Sequence, residues 1–244
     1  GHVDPLNALA DVAQERGIHF HVDAAWGGPT LFSDRYRSLL DGIERADSVT
    51  LDAHKQLYVP MGAGICVFRT PETLASVEHH AEYIIRKGSK DLGSHSVEGS
   101  RPGMAILVHS GLHIIGRQGY QLLIEQGIDK TRAFADMIRS RADFELITEP
   151  ELNILTYRYR PADIAAAMEA ASPAVRAQAN TLLNRITRYI QKTERGHGRS
   201  FVSRTRLNPL QHDREPIVVF RVVLANPLTT LEILADILDE QCEL

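Results

Sequence analysis

The sequence predicts an α/β protein: a mostly parallel sheet with flanking helices, followed by a small α+β domain. Three observations predict it. The first residues run helix then strand, the rhythm of a parallel crossover unit. Two further short apolar runs, at Ala46–Leu51 and Ala63–Phe68, are bounded by turn or polar residues, the composition of buried strands. From about Phe144 the order changes to strands and helices in another arrangement.

Taken in order, Asp4-Pro5 reads as a helix start, with an N-cap acceptor followed by proline at the first helical position. Leu6, Leu9, Ala10 and Ala13 follow at helical spacing until Gly17 ends the helix. Ile18 to Asp23 is then a strand with its acidic residue at the carboxyl end, where open α/β sheets place ligand chemistry. A helix feeding a strand implies a strand before it, so the chain is expected to be a fragment lacking the start of its sheet. Pro102 to Gln118 reads as a long helix with Gly116 and Gly119 near its end, and Tyr120 to Ala142 as a second, the pair linking two domains. In the last part, Glu145–Ile147, Ile154–Tyr159 and Ile217–Leu224 read as strands, and Val175–Ile190 and Thr229–Cys242 as helices, with a turn at Gly196-His197-Gly198. The domains are therefore expected at 1–142 and 143–244.

Bulk properties narrow the function. The chain has 244 residues, 43% hydrophobic and 24% charged, enough for a sizeable core and far from a disordered composition. A net charge of -4 provides no basic field for nucleic acid or anionic membranes. No apolar run approaches the roughly 20 residues that span a bilayer, and no signal peptide opens the chain. Cys66 and Cys242 have neither CxxC nor Cys/His ligand spacing, so no disulfide scaffold or zinc site is indicated and a cytoplasmic setting is expected.

The chemistry gathers at two strand ends. Asp23 ends one strand and His54-Lys55 follows the next, so parallel neighbours bring a carboxylate and an amine to one edge of the sheet. A pyridoxal cofactor requires such a pair, an amine to hold it covalently and an anion to keep its pyridine nitrogen protonated. Read singly, Lys55 is a surface lysine and Asp23 caps a turn; their combination favours the cofactor reading. Arg221 interrupts the apolar run Val218–Leu224, where an unpaired guanidinium is costly, so it is expected to meet an anion, either a substrate carboxylate or an internal acid.

At His21-Val22-Asp23-Ala24-Ala25-Trp26-Gly27-Gly28, followed by Asp52-Ala53-His54-Lys55, the chain resembles the group II pyridoxal-phosphate-dependent amino-acid decarboxylases. The resemblance continues through Val97–Pro102, Ser203–Leu207 and Phe220–Pro227 and covers nearly the whole chain, and the DAHKQLYVPMGAG segment is most similar to the aspartate decarboxylase branch. It implies the C-terminal half of a fold-type I large domain plus the small domain, and decarboxylation of an L-amino acid, aspartate or glutamate, to an amine and carbon dioxide. Pyridoxal 5'-phosphate is the implied cofactor. Lys55 would hold it as a Schiff base, Asp23 would pair with its pyridinium nitrogen, Ala25 would pack on the ring and His54 would contact its phosphate. Ser100 would reach the phosphate of a neighbouring subunit's site, which implies a homodimer with shared sites, and Arg221 would bind the substrate carboxylate in a bidentate fork. Another fold-type I activity, a carbon–carbon lyase or aminotransferase, stays open, as does a non-catalytic fragment or subunit.

The resemblance also implies a proton donor on a mobile-loop tyrosine. Between Glu82 and Ser100 the only tyrosine is Tyr83, ahead of the charged stretch Arg86 to Asp91. The donor role is not assigned to it, and it reads instead as a packing residue at a helix end. No metal is expected: His79-His80 and the i,i+4 pair His109/His113 lack the carboxylate of an HExxH site. Trp26 reads as anchoring the glycine turn, and Gly62 and Gly64 as permitting a tight one.

Overall fold

A computed structural model describes residues 1–81, 83–86, 88–89, 92–96 and 99–244. Val97 and Glu98 of the Val97–Pro102 segment, and Glu82, Lys87, Lys90 and Asp91 around the charged stretch, lie outside the described residues. The chain forms two compact units, Val3–Ile124 and Gly1–His2 with Glu125–Leu244.

In the first unit, helix α1 (Leu6–Arg16) ends as its sequence requires, on Gly17 with φ 61°. Ile18 N–H then returns to the Ala13 carbonyl at 2.9 Å, satisfying an end group the helix leaves open. Its start differs from expectation, since Pro5 is itself the N-cap residue and no side chain caps the helix. Strands β1 (His21–Asp23) and β2 (Ser48–Asp52) pair in parallel with Asp23 opposite Thr50, and β3 (Gly64–Phe68) adds antiparallel to β2. The first strand is shorter than predicted for a local reason. Phe20 N–H donates to the Asp47 carboxylate at 2.8 Å and the Phe20 carbonyl accepts from Asp47 N–H, so this stretch satisfies its backbone on a turn and not on the ladder. Leu6, Val22, Ala24, Leu40 and Ala46 form the core between helix and sheet.

Helix α2 (Met104–Ser140) contains both predicted linking helices, broken at Gly116, whose φ 67° and ψ 172° are not helical. Glycine accepts that conformation without the Cβ clash other residues incur. The change of unit comes inside α2, between Ile124 and Glu125, ahead of the boundary at 142/143 that the sequence pattern suggests.

The second unit builds an antiparallel sheet, ordered β4 (Phe144–Thr148), β5 (Ile154–Tyr159), β7 (Ile217–Val223), β6 (Ser203–Leu207). It carries α3 (Ala162–Glu169), α4 (Pro173–His197) and α5 (Leu231–Glu243). Ser172 and Thr230 cap α4 and α5 by accepting from the Val175 and Ile233 N–H groups. Gly198, φ 70°, stops α4 where a turn was read. Strand β6 was not predicted because Arg204 and Arg206 face solvent and hide its alternation. Phe134, Phe144, Leu155, Tyr157, Ile190, Phe220, Leu234 and Leu238 fill the core.

Two buried polar clusters lie in this unit. In one, Glu145 receives Arg158 Nε at 2.6 Å, with His212 Nε2 at 3.2 Å and Arg160 at 3.7 Å. Burial pushes this carboxyl up, yet His212 and the two guanidinium groups outweigh it and hold it down to about 2, against an ordinary 4.5. In the other, the Ser200 hydroxyl lies 2.9 Å from Glu194 and 2.7 Å from Glu240. One hydroxyl proton serves only one carboxylate, so the second contact is a hydrogen bond when its carboxyl is protonated. Burial first, and then Glu240, raises the Glu194 pKa.

The two clusters act on stability with opposite sign. A carboxyl held near 2 contributes about 3 kcal/mol above its unfolded pKa, and that contribution is lost as pH falls from 4.5 through 2. Glu194, shifted upward, contributes below its unfolded pKa and loses that contribution as pH rises through its folded value. Thermal melts across pH should therefore show Glu145→Gln flattening the acid limb. Glu194→Gln should raise the melting temperature at alkaline pH, where Glu194 is ionised, and leave it unchanged at pH 4.

Candidate active site

Two turns meet at the carboxyl end of the first sheet. The first begins at Asp23, whose Oδ1 accepts from Ala25 N–H at 3.0 Å, a local turn bond that aspartate forms readily. Ala24 N–H continues to the Thr50 carbonyl at 2.9 Å, Gly28 N–H bonds the Ala24 carbonyl at 2.8 Å, and the Ala25 carbonyl accepts from Asp52 N–H. The turn thus lies across the end of β2, and a Cβ on Gly28 would come 2.5 Å from Leu51 Cδ2. Gly28→Ala should cost roughly 1–3 kcal/mol by overpacking, read as a lower denaturation midpoint.

The second turn carries the lysine. Ala53 is fully buried and its N–H bonds the Ala63 carbonyl at 2.9 Å, while Lys55 N–H closes on Asp52 O, Tyr58 N–H on Lys55 O and Val59 N–H on Ala53 O. Tyr58 sits at φ 56°, a left-handed conformation that strains a bulky side chain by about 1–3 kcal/mol and is held by these bonds. The nearly buried Gln56 donates to the Trp26 carbonyl at 2.7 Å, tying the lysine turn to the glycine turn. Trp26 thus anchors through its backbone carbonyl, and the residue is half-buried.

Lys55 is a third exposed, and its Nζ lies 2.7 Å from Asp52 Oδ2. The same carboxylate stands 3.8 Å from His54 Nε2, and His54 Nδ1 is 3.0 Å from the Ala63 carbonyl, which accepts its proton. Asp23 is exposed, and its turn bond engages Oδ1. Sequence reasoning passed over Asp52, Gln56 and Tyr58. The i,i+3 spacing of Asp52 and Lys55 was a usable signal; the Gln56 contact and the Tyr58 backbone had none.

This donor set fits pyridoxal phosphate. A partly exposed amine and an exposed carboxylate emerge at the ends of neighbouring parallel strands, and His54 is fixed by its carbonyl bond with Nε2 3.8 Å from Asp52. Ala25 is half-buried beside them, and Ser100 lies exposed in a bend.

Arg221 requires a correction. The apolar run suggested a guanidinium buried in the core, but burial in β7 stops after Phe220 and Arg221 is exposed, while its carbonyl accepts from Ser203 Oγ at 2.6 Å. The fully buried arginine of this sheet is Arg158. Tyr83 is 83% exposed and outside any helix, so it does not pack as expected. His109 and His113 are exposed, with ring centroids 4.3 Å apart and planes tilted by 45°, and among the described residues no group of three acidic, histidine or cysteine side chains converges as metal ligands.

Residues 1–160 match the profile of the pyridoxal-dependent decarboxylase conserved domain, and the chain belongs to that family. Over all 244 residues it is 60% identical to an aspartate 1-decarboxylase from Aliivibrio fischeri, covering 45% of that protein. Over 168 residues, 66% of this chain, it is 36% identical to cysteine sulfinic acid decarboxylase from Mus musculus, covering 34% of it. The chain thus spans less than half the length of these curated relatives. Among solved structures it is similar to mouse CSAD in apo form, with a TM-score of 0.85 and 29% identity over 99% of this chain and 48% of the other.

Proposed function

We propose that this chain supplies the lysine side of a pyridoxal-phosphate site that removes the C1 carboxyl of an acidic L-amino acid, aspartate foremost. The observation that carries the reading is the parallel pairing of β1 and β2, whose carboxyl ends deliver Asp23 and Lys55 to one edge. Identity of 60% to an aspartate 1-decarboxylase supports the choice of substrate.

Bound pyridoxal phosphate supplies a sink for the electron pair left when carbon dioxide departs. Lys55 holds the cofactor through its amine, and Asp23 keeps a proton on the ring nitrogen with the oxygen its turn leaves open. Ala25 offers a small apolar surface to the ring, and His54, fixed through Nδ1, presents Nε2 to the phosphate. The exposed Arg221 guanidinium orients the substrate by a carboxylate, since a bidentate fork fixes angle as well as charge. Ser100 serves a neighbouring subunit's site, so the working form is a homodimer with shared sites. A cytoplasmic setting goes with it, supported by two free cysteines and by the absence, among the described residues, of a helix long and apolar enough to cross a membrane.

The test is product analysis. Incubation with L-aspartate should release carbon dioxide and leave 3-aminopropanoate, faster than glutamate releases its own carboxyl. A keto acid or an aldehyde as the product would move the protein to an aminotransferase or a carbon–carbon lyase.

A further inference from the structure

We propose that Asp52 acts as anchor and proton carrier for Lys55 when that lysine exchanges its free amine for a bond to the cofactor, an inference that rests on the function proposed above. Asp52 Oδ2 lies 2.7 Å from Lys55 Nζ, and the Lys55 N–H bonds the Asp52 carbonyl at 3.1 Å, so the two residues are tied at backbone and side chain. Asp23, the carboxylate that the sequence singles out at this edge, spends Oδ1 on Ala25 N–H. The acid touching the reacting nitrogen is therefore Asp52.

The chemistry needs such a group. An ammonium has no lone pair with which to attack an aldehyde, and forming a carbon–nitrogen double bond expels the carbonyl oxygen as water. Of the three ammonium protons, two leave in that water and one stays on the nitrogen. Asp52 takes the first of the two, freeing the lone pair, and delivers it to the departing oxygen when the carbon–oxygen bond breaks. It ends ionised, as it began, and no other reactant is consumed.

Magnitudes favour this role over simple retention of the amine as an ion pair. Both side chains are partly exposed, 36% for Lys55 and 21% for Asp52. Screened pairing of that kind holds the amine back by at most about fivefold, whereas a positioned proton carrier is worth about 10²–10⁴.

The experiment follows cofactor loading by stopped-flow absorbance, with purified protein freed of cofactor. Wild type, Asp52→Asn and Asp52→Ala are each mixed with pyridoxal 5'-phosphate and, separately, with pyridoxal, which lacks the phosphate. Both variants should load roughly a hundredfold more slowly with both aldehydes, and added acetate should restore part of the rate to Asp52→Ala. Acetate rescue is a readout that a merely structural carboxylate does not produce, and near-isosteric Asn guards against misfolding. Unchanged or faster loading overturns the proposal, as does a defect confined to the phosphorylated aldehyde, which puts the carboxylate at the phosphate end instead. A wild type that develops no band with either aldehyde overturns the cofactor reading and this inference together; a wild-type band with unaffected variants overturns only the inference.

Discussion

Lys55→Ala is expected to abolish the visible absorbance of covalently held pyridoxal phosphate and to lower decarboxylation by at least about 10³-fold. The size follows from the geometry. Lys55 is the amine on the turn that Gln56, Ala53 and the strained Tyr58 backbone lock to the end of β2. No second lysine stands in that segment, since from Gly1 to Gln56 the sequence contains only this one. Lys55 is partly exposed and its polar contact is a screened pair with Asp52, so the melting temperature should stay within a few degrees of wild type. Loss of the band with an unchanged melt identifies a chemical role; a retained band would place the cofactor on another amine.

Arg158→Ala carries the largest stability effect, about 3–5 kcal/mol, or a melting temperature lower by roughly 10 °C. Arg158 is completely buried, donates to Glu145 at 2.6 Å and to Asn180 Oδ1 at 3.0 Å, and has its remaining Nη2 without a hydrogen-bond partner. Removing it leaves Glu145 ionised in a buried site with only the more distant Arg160 and His212, and leaves Asn180 short of a donor. Because one guanidinium nitrogen is already unsatisfied, replacing both charges should cost less than removing one. The double variant Arg158→Met with Glu145→Leu is expected to melt above Arg158→Ala. Equal melting of the two would show that lost packing, and not the stranded carboxylate, sets the cost.

The motif HVDAAWGG with its downstream DAHK was legible because each residue type answers a local chemical need, and local needs are written in order along the chain. Parallel pairing of the first two strands was expected from the α/β rhythm, and the stop at Gly17 and the break at Gly116 followed from glycine's backbone freedom. Strand β6 and helix α3 were not legible. The first shows solvent two arginines from a strand, and the second is a short alanine-rich run, so neither carries a clear apolar period.

By itself, then, the sequence determined the elements that bear the candidate site and singled out Asp23, His54 and Lys55 as its candidate residues. Tertiary structure alone decided which charges are buried and who partners whom. Arg221 and Arg158 both interrupt apolar strands, and since Arg221 pairs with Thr156, two residues before Arg158, both lie on one face of the sheet; only their place along that face, with Glu145 directly across from Arg158, leaves one exposed and the other buried. Likewise two carboxylates stand at the sheet edge, and the folded turns commit Asp23 to a backbone N–H and Asp52 to the Lys55 amine. Periodicity places a side chain on a face, but the partner across that face comes from a distant part of the chain, and the free energy of burial depends on that partner.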